Sequence, residues 1–533
     1  MKSWGAVLVT AMGFLVGMVL AGVGGLSAKT SFTTSPEITQ KKKIEAYWRE
    51  SELSASQLFE LISDQNCQSS EKYFLSCINS VIQTSAEFKL QLSKETGLFE
   101  PLNSKIFIAD KSEKERLAPF AQLYQKPNLI VHFGNLWNQL LDIESSEKRP
   151  ALIANGINSF LSVYKDPHTY ILPNNYYEEV GSQLERSNLF VGISLERVEQ
   201  DIRVRKVYHH SDADLAGLQP EDVIISINEQ PVGPMSLQEV MQTLKSADQK
   251  SFQFKVKRLG EIKQVLLTRH FKSLNHVQFD VLPGLRNYAR VTVTKFNRGV
   301  CEEVAKQIRS AADKNIVGLV LDLRDNPGGQ LDEAACLAGL FIGINKKIYS
   351  VEYFDPIKSN EVVLTTGSLL YTGPMIILMN GSSASASELF AGALQEYKRA
   401  ILVGEKTFGK GTFQESEIWT KNNRITLFKT QGFYLLPSQQ STQIVGVTPD
   451  IELTEHHLQI REENNYFNPL HNPKAHAAPV KSARFFEDQL KKCSSLRHPY
   501  QTDDLMLKKS LEVLSCRQLT ATLATQFNIE DFN

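Results

Sequence analysis

Serines stand at the alternating positions 383, 385 and 387 of the stretch NGSSASASELF, Asn380 to Phe390, and the residues after them have helical spacing. A hydroxyl at the start of a helix is suited to nucleophilic attack, provided that a base takes its proton. The same residues also fit an ordinary capping box, because Ser385 is followed three positions later by Glu388. A nearby base would distinguish the two readings. Histidine is the usual partner of a serine nucleophile, yet the interval between His276 and His456 contains none. Lysine remains, and EKTFGKGTFQ carries Lys406 and Lys410. A lysine acts as a base when burial brings its pKa from about 10.4 to between about 7 and 8, at a cost of ~4 kcal/mol. That requires an apolar, shielded position. Lys410, between Gly409 and Gly411 with Phe408 and Phe413 nearby, suits it better than Lys406 beside Glu405.

The elements that must position these groups alternate between strand and helix from about Asn287 to Leu453. IVGLVLDLR is a continuous apolar run of the kind that forms a buried parallel strand, and the helical LDEAACLAGLF follows it after DNPGG. PMIILMN repeats the strand, SELFAGALQEYK the helix, and AILVGEK supplies a third strand. Parallel strands of one sheet point the same way, so the loops after their carboxyl ends share an edge. DNPGG offers bare backbone N–H groups there, GSSASAS a hydroxyl, and EKTFGKGTFQ an amine.

Upstream, Leu189 to about Phe271 breaks into short β-rich runs, LFVGISL, IRVRKVY, DVIISIN, SFQFKVKR and KQVLLTR, with one helical segment, SLQEVMQTLKS. The turn AGLQPEDVIISINEQPV resembles a PDZ domain, and FVGISL stands where that family has its carboxylate-binding loop. Backbone N–H groups beside a glycine form a nest for a terminal carboxylate while a strand edge pairs with an extended peptide. The loop would be Phe190, Val191, Gly192 and Ile193, with Leu237, Val240 and Leu244 lining the groove.

With 533 residues the chain is too long for one core. Its 58 basic and 59 acidic residues balance, which gives no reason to expect nucleic acid as a partner. After Trp4 an uncharged apolar run ends in small residues at Ala28. It reads as a signal peptide, or as an uncleaved anchor associating the chain with a membrane, and either places the remainder outside the cytoplasm. An exported chain keeps disulfides. Cys67 with Cys77 and Cys493 with Cys516 are expected as local bridges, and Cys301 and Cys336 as buried thiols. No CxxC pair or HExxH is present, so neither a metal site nor another cofactor is expected. His168, in DPHTYILP, has no partner nearby in sequence and reads as structural; His456, His457, His471 and His476 read as solvated linker residues.

LDLRDNPGG, the block from Asn380 to Gln414, GVTPDI and DPHTYILP together resemble the C-terminal processing, or tail-specific, serine proteases. The resemblance spans about Asp166 to Ile451. It implies Ser385 as nucleophile, Lys410 as general base, Gln414 as the residue that orients the amine, and an oxyanion hole from the N–H of Ala386 with that of Gly328 or Gly329. It implies no cofactor, and substrates with exposed apolar C-termini. The expected architecture is multidomain α+β. A signal peptide or anchor (1–28) and a helical N-terminal region (29–175) precede an inserted PDZ domain (180–272), a ClpP/crotonase-like α/β protease core (273–455), and a linker with a helical C-terminal region (456–533). The expected location is periplasmic or otherwise exported. Two other readings compete: a periplasmic peptide-binding scaffold with an inactive core, and an acyl-thioester enzyme sharing the core fold. The first requires a missing member of the serine, lysine and glutamine set, and the second leaves the export signal and Lys410 unexplained. An adaptor, an oligomeric state and the substrate have no motif.

Overall fold

The computed structural model describes residues 45–86, 90–92, 99–101, 113–124, 132–176, 191, 193–198, 201–207, 212–235, 240, 243–244, 251–268, 276–282, 287–453, 463–466, 469–476, 502 and 504–516. The apolar N-terminal run and Cys493 lie outside them. Among the described residues no helix is long and apolar enough to cross a membrane.

The three apolar runs of the core are adjacent parallel strands, Ile316–Asp322, Met375–Met379 and Ile401–Gly404. Asn287–Val293 and Ile451–Glu452 extend the sheet in parallel on either side, and Val277–Leu282 adds an antiparallel strand at one edge. Their continuous hydrophobicity follows from burial on both faces. Helices Val300–Ser310, Leu331–Ile342 and Ala386–Glu396 pack on one face, joining Leu319, Leu321, Ile377 and Leu402 in one core. Helix Leu505–Ser515 covers the other face against Val320, Ile376, Leu378 and Val403. The C-terminal segment therefore caps the core, fastened by the buried Arg324, which pairs with Asp322 and with Asp504 at the N-cap of that helix.

A second, antiparallel sheet takes up the chain after the lysine loop. Thr412–Ile418 pairs with Ile425–Leu435, followed in order by Lys347–Tyr353 and Glu361–Leu364. DPHTYILP contributes more than a rigid connection. Its Tyr170–Pro173 is a strand pairing with Ile425–Phe428 of that sheet, so the junction before the PDZ-like segment is built into the core. The described part of the N-terminal region is mostly helical, with Glu71–Ala86, Phe133–Ile143 and Arg149–Tyr164 among its helices and one antiparallel strand pair, Leu90–Leu92 with Phe99–Pro101, and it packs against Trp419, Ile425 and Phe428.

The β-rich segment forms a separate antiparallel sheet ordered Ile193–Val198, Asp201–Val207, Val223–Ile227, Ser251–Arg258 and Glu261–Thr268. It has its own core, including Ile202, Val204, Phe252 and Phe254.

Cys67 and Cys77 are bridged as expected, and Cys516 is also disulfide-bonded. The expectation of buried thiols at Cys301 and Cys336 is overturned: they form a disulfide, with Cα atoms 5.9 Å apart. Two helices that pack side by side on one sheet face carry them, an adjacency that their separation of 35 residues conceals.

Candidate active site

The three loops leave the sheet side by side, because Asp322, Leu378 and Val403 lie in register. Side chains and backbone then join them. Ala384 N–H and the Ser387 hydroxyl both donate to Asn326 O, the Ser383 hydroxyl donates to Leu323 O, and Asn380 exchanges hydrogen bonds with Asp325. Phe408 N–H donates to Ser383 O, attaching the lysine loop to the serine loop. Ser383 and Ser387 thus hold loops together, while the Ser382 N–H bonds Asn380 Oδ1.

Ser385 differs from its neighbours. It precedes helix Ala386–Glu396 with φ 56° and ψ −116°, in the positive-φ region that an L-residue rarely occupies. Strain of this kind persists only where surrounding contacts impose it. Here the imposing contact is Glu388, fully buried, whose Oε2 accepts the N–H of Ser385 at 2.7 Å and that of Lys410 at 2.9 Å. Its Oε1 accepts from Gly409 N–H and the Thr407 hydroxyl. Burial pushes the Glu388 carboxyl up to about 7, against the four hydrogen bonds that favour its anion. The S-x-x-E pattern is therefore a helix start and also a clamp between serine loop and lysine loop. Tyr434 completes the clamp, its hydroxyl lying 3.2 Å from Ser385 O and 2.8 Å from Lys410 O.

Lys410 is buried at 6 % exposure, and burial brings its pKa down to about 8, with Glu463, Glu388 and Asp166 opposing the fall. Its Nζ donates to Gln414 Oε1 at 2.8 Å and to Thr412 O at 3.2 Å. A neutral amine has two N–H groups and one lone pair, so these two acceptors leave the lone pair free for a proton. Among the described residues no hydrogen bond joins Nζ to Ser385 Oγ; such contacts commonly tighten only with substrate bound. Lys406 is half-buried.

The glycine loop meets the serine at van der Waals range. A Cβ on Gly328, which has φ +96°, would lie 2.6 Å from Ala384 O and 2.8 Å from Ala386 N. Only glycine permits that approach. Gly328 N–H already donates to Asn326 Oδ1. The Gly328 carbonyl accepts from Phe296 N–H, so across the trans peptide the Gly329 N–H points away from Phe296. Ala386 N–H opens the helix as its first turn does, without an intrahelical acceptor.

Of the proposed peptide groove, Phe190, Gly192 and Leu237 lie outside the described residues. Val191, Ile193, Val240 and Leu244 are buried in the core of the small domain. Among the described residues no strand pairs with the outer side of Ile193–Val198. The small domain also touches the glycine loop through an ion pair from Arg205 to Asp325. No cluster fit to hold a metal occurs among the described residues, and His471 and His476 are exposed.

The partners of two residues of DPHTYILP had no signal in the sequence. His168 is buried and paired with Glu463 at 2.8 Å. Burial pushes the Glu463 carboxyl up, but the His168 ring, Lys410 and Gln443 together hold it below the usual range. Asp166 accepts from the Thr169 and Thr430 hydroxyls and from His168 N–H.

Residues 287–453 match the model of peptidase family S41, and residues 203–258 match that of a PDZ domain. A probable CtpA-like serine protease of Staphylococcus haemolyticus is 26% identical over 306 residues, which are 57% of this chain and 60% of that protein. One from Staphylococcus aureus strain bovine RF122 is 27% identical over 358 residues, 66% of this chain and 68% of its own. The solved photosystem II D1 C-terminal processing protease is 25% identical, covering 60% of this chain and 86% of its own with a TM-score of 0.38.

Proposed function

We propose that this chain, which carries a peptidase family S41 domain and a PDZ domain, is an exported serine endopeptidase that cleaves proteins near their C-termini with Ser385 and Lys410. One observation carries the reading. A lysine buried to 6 % exposure, with a pKa near 8, shares a single Glu388 oxygen with the backbone of a strained serine at a helix start.

The neutral Lys410 amine takes the Ser385 proton as Oγ attacks the substrate carbonyl carbon. The oxyanion that forms is met by the N–H groups of Ala386 and Gly329, because Gly328 N–H is occupied by Asn326. Collapse breaks the C–N bond, and the Lys410 ammonium returns its proton to the leaving amine. Water, giving a proton to the same amine, then attacks the acyl-Ser385 ester; the ester C–O bond breaks, the Lys410 ammonium returns that proton to Ser385 Oγ, and the new carboxylate leaves. Gln414 Oε1 and Thr412 O occupy the two N–H groups of Nζ and leave its lone pair for the Ser385 hydroxyl in the first half-reaction and for water in the second. No step needs a metal.

Export is supported by the apolar N-terminal run and by disulfides at Cys67–Cys77 and Cys301–Cys336, which persist in oxidising compartments. Tail recognition is supported by Ile193–Val198, whose outer side has no partner strand among the described residues and can pair with an extended peptide. The test compares one unstructured reporter protein with a free or an amidated apolar C-terminus. Faster cleavage of the free-tailed reporter is expected, chiefly through KM; equal cleavage of both refutes tail recognition, and cleavage of neither refutes the protease.

A further inference from the structure

We propose that Asp166 and Thr430 are positioning residues that fix the direction of the Gln414 amide and, through it, the Lys410 amine. This rests on the Ser385–Lys410 reading above. The observation is a chain of buried hydrogen bonds with only one consistent polarity. Both oxygens of Asp166 accept: Oδ1 takes the Thr430 hydroxyl at 2.6 Å and His168 N–H at 2.9 Å, and Oδ2 takes the Thr169 hydroxyl at 2.6 Å. A threonine hydroxyl has a single proton. Thr430 directs it at Asp166, so towards Gln414, 3.2 Å away, it has only lone pairs to offer.

An amide is nearly symmetric in shape but not in polarity, since one end donates and the other accepts. Thr430 Oγ1 as acceptor requires the Gln414 NH2 on its side, where Thr412 Oγ1 accepts as well. The Gln414 carbonyl oxygen must then face Lys410 Nζ, 2.8 Å away. Were the amide reversed, its NH2 would oppose the Lys410 ammonium as a second donor or take the lone pair of the neutral amine, which then could not serve Ser385. Asp166, Thr430, Gln414, Thr412 and Lys410 are all buried, so water does not replace a lost partner readily. The strand Tyr170–Pro173 places Asp166 here, because it pairs with the strand that carries Thr430. The segment before the PDZ domain is thereby a support of the base in the peptidase core.

The test measures kcat and KM on an unstructured reporter for Thr430→Val, Thr430→Ser, Gln414→Ala and the Gln414→Ala/Thr430→Val double variant, with Ser385→Ala as control. Thr430→Val keeps shape and strand propensity while removing the hydroxyl; should it fail to fold, Thr430→Ala takes its place. Expected are a fall in kcat of about ten- to hundredfold for Thr430→Val with KM unchanged, most of the activity in Thr430→Ser, and a double variant no slower than Gln414→Ala. Wild-type kcat in Thr430→Val overturns the proposal. So does a Thr430→Ser as slow as Thr430→Val, or a loss that multiplies with that of Gln414→Ala. Full activity in Ser385→Ala would instead overturn the reading beneath it.

Discussion

Replacing Lys410 by Met separates the electrostatic cost of the base from its other contacts. The side chain keeps its length and loses its charge. In the unfolded chain the lysine has its ordinary pKa of 10.5, and in the folded protein burial brings it down to about 8. Below about 8 both states hold the proton and the native state bears the full penalty, worth about 3 kcal/mol at ~1.4 kcal/mol per pH unit. As pH rises from about 8 to 10.5 the native state releases its proton first and the unfolded state holds more, so wild type gains stability. Lys410→Met has no such ionisation. It does strand Gln414 Oε1 and Thr412 O, but that loss is the same at every pH. The difference in unfolding free energy between wild type and variant should therefore move in favour of wild type by about 2 kcal/mol between about pH 7.5 and about pH 9.5. Urea denaturation of both proteins at the two pH values measures it. Parallel behaviour, with an offset that does not change with pH, would refute a buried, pKa-depressed Lys410.

Turnover should follow the same ionisation: kcat/KM rises about tenfold per pH unit below about 7 and levels above about 8, because only the neutral amine accepts a proton. Gly328→Ala should lower kcat by at least about hundredfold, since its Cβ has no room beside Ala384 O and Ala386 N; near-normal turnover would remove the glycine loop from the oxyanion site. Serine at both Cys301 and Cys336 should cost about 4 kcal/mol of core stability, the entropy of a 35-residue loop, read as a lower denaturation midpoint.

The adjacency of the three loops was legible because a parallel sheet converts sequence order into proximity. DNPGG, the alternating serines and the lysine loop each follow a strand, and three neighbouring strands bring them to one edge. Glu388 was legible only by half. Its S-x-x-E spacing announces a cap, whereas its bonds to Thr407, Gly409 and Lys410 depend on a loop that arrives from the next strand. The supports of the base come from farther away. Thr430 and Asp166 are 264 residues apart, Glu463 and His168 295 apart, and neither pair has local periodicity to mark it. The Cys301–Cys336 bridge was missed for the same reason, since each cysteine sits on an amphipathic helix whose neighbour only the packed sheet determines. In the PDZ segment the strands were readable from their alternation, as in SFQFKVKR, and Val240 and Leu244 join its core.

The most direct test of the central claim is hydrolysis of an unstructured, free-tailed reporter by purified wild type, Ser385→Ala and Lys410→Ala, with the fragments identified by mass spectrometry and folding checked by circular dichroism. Wild type is predicted to release fragments from near the reporter's C-terminus, and both variants to fold and release none. Cleavage by Ser385→Ala at the wild-type rate and sites would contradict the account.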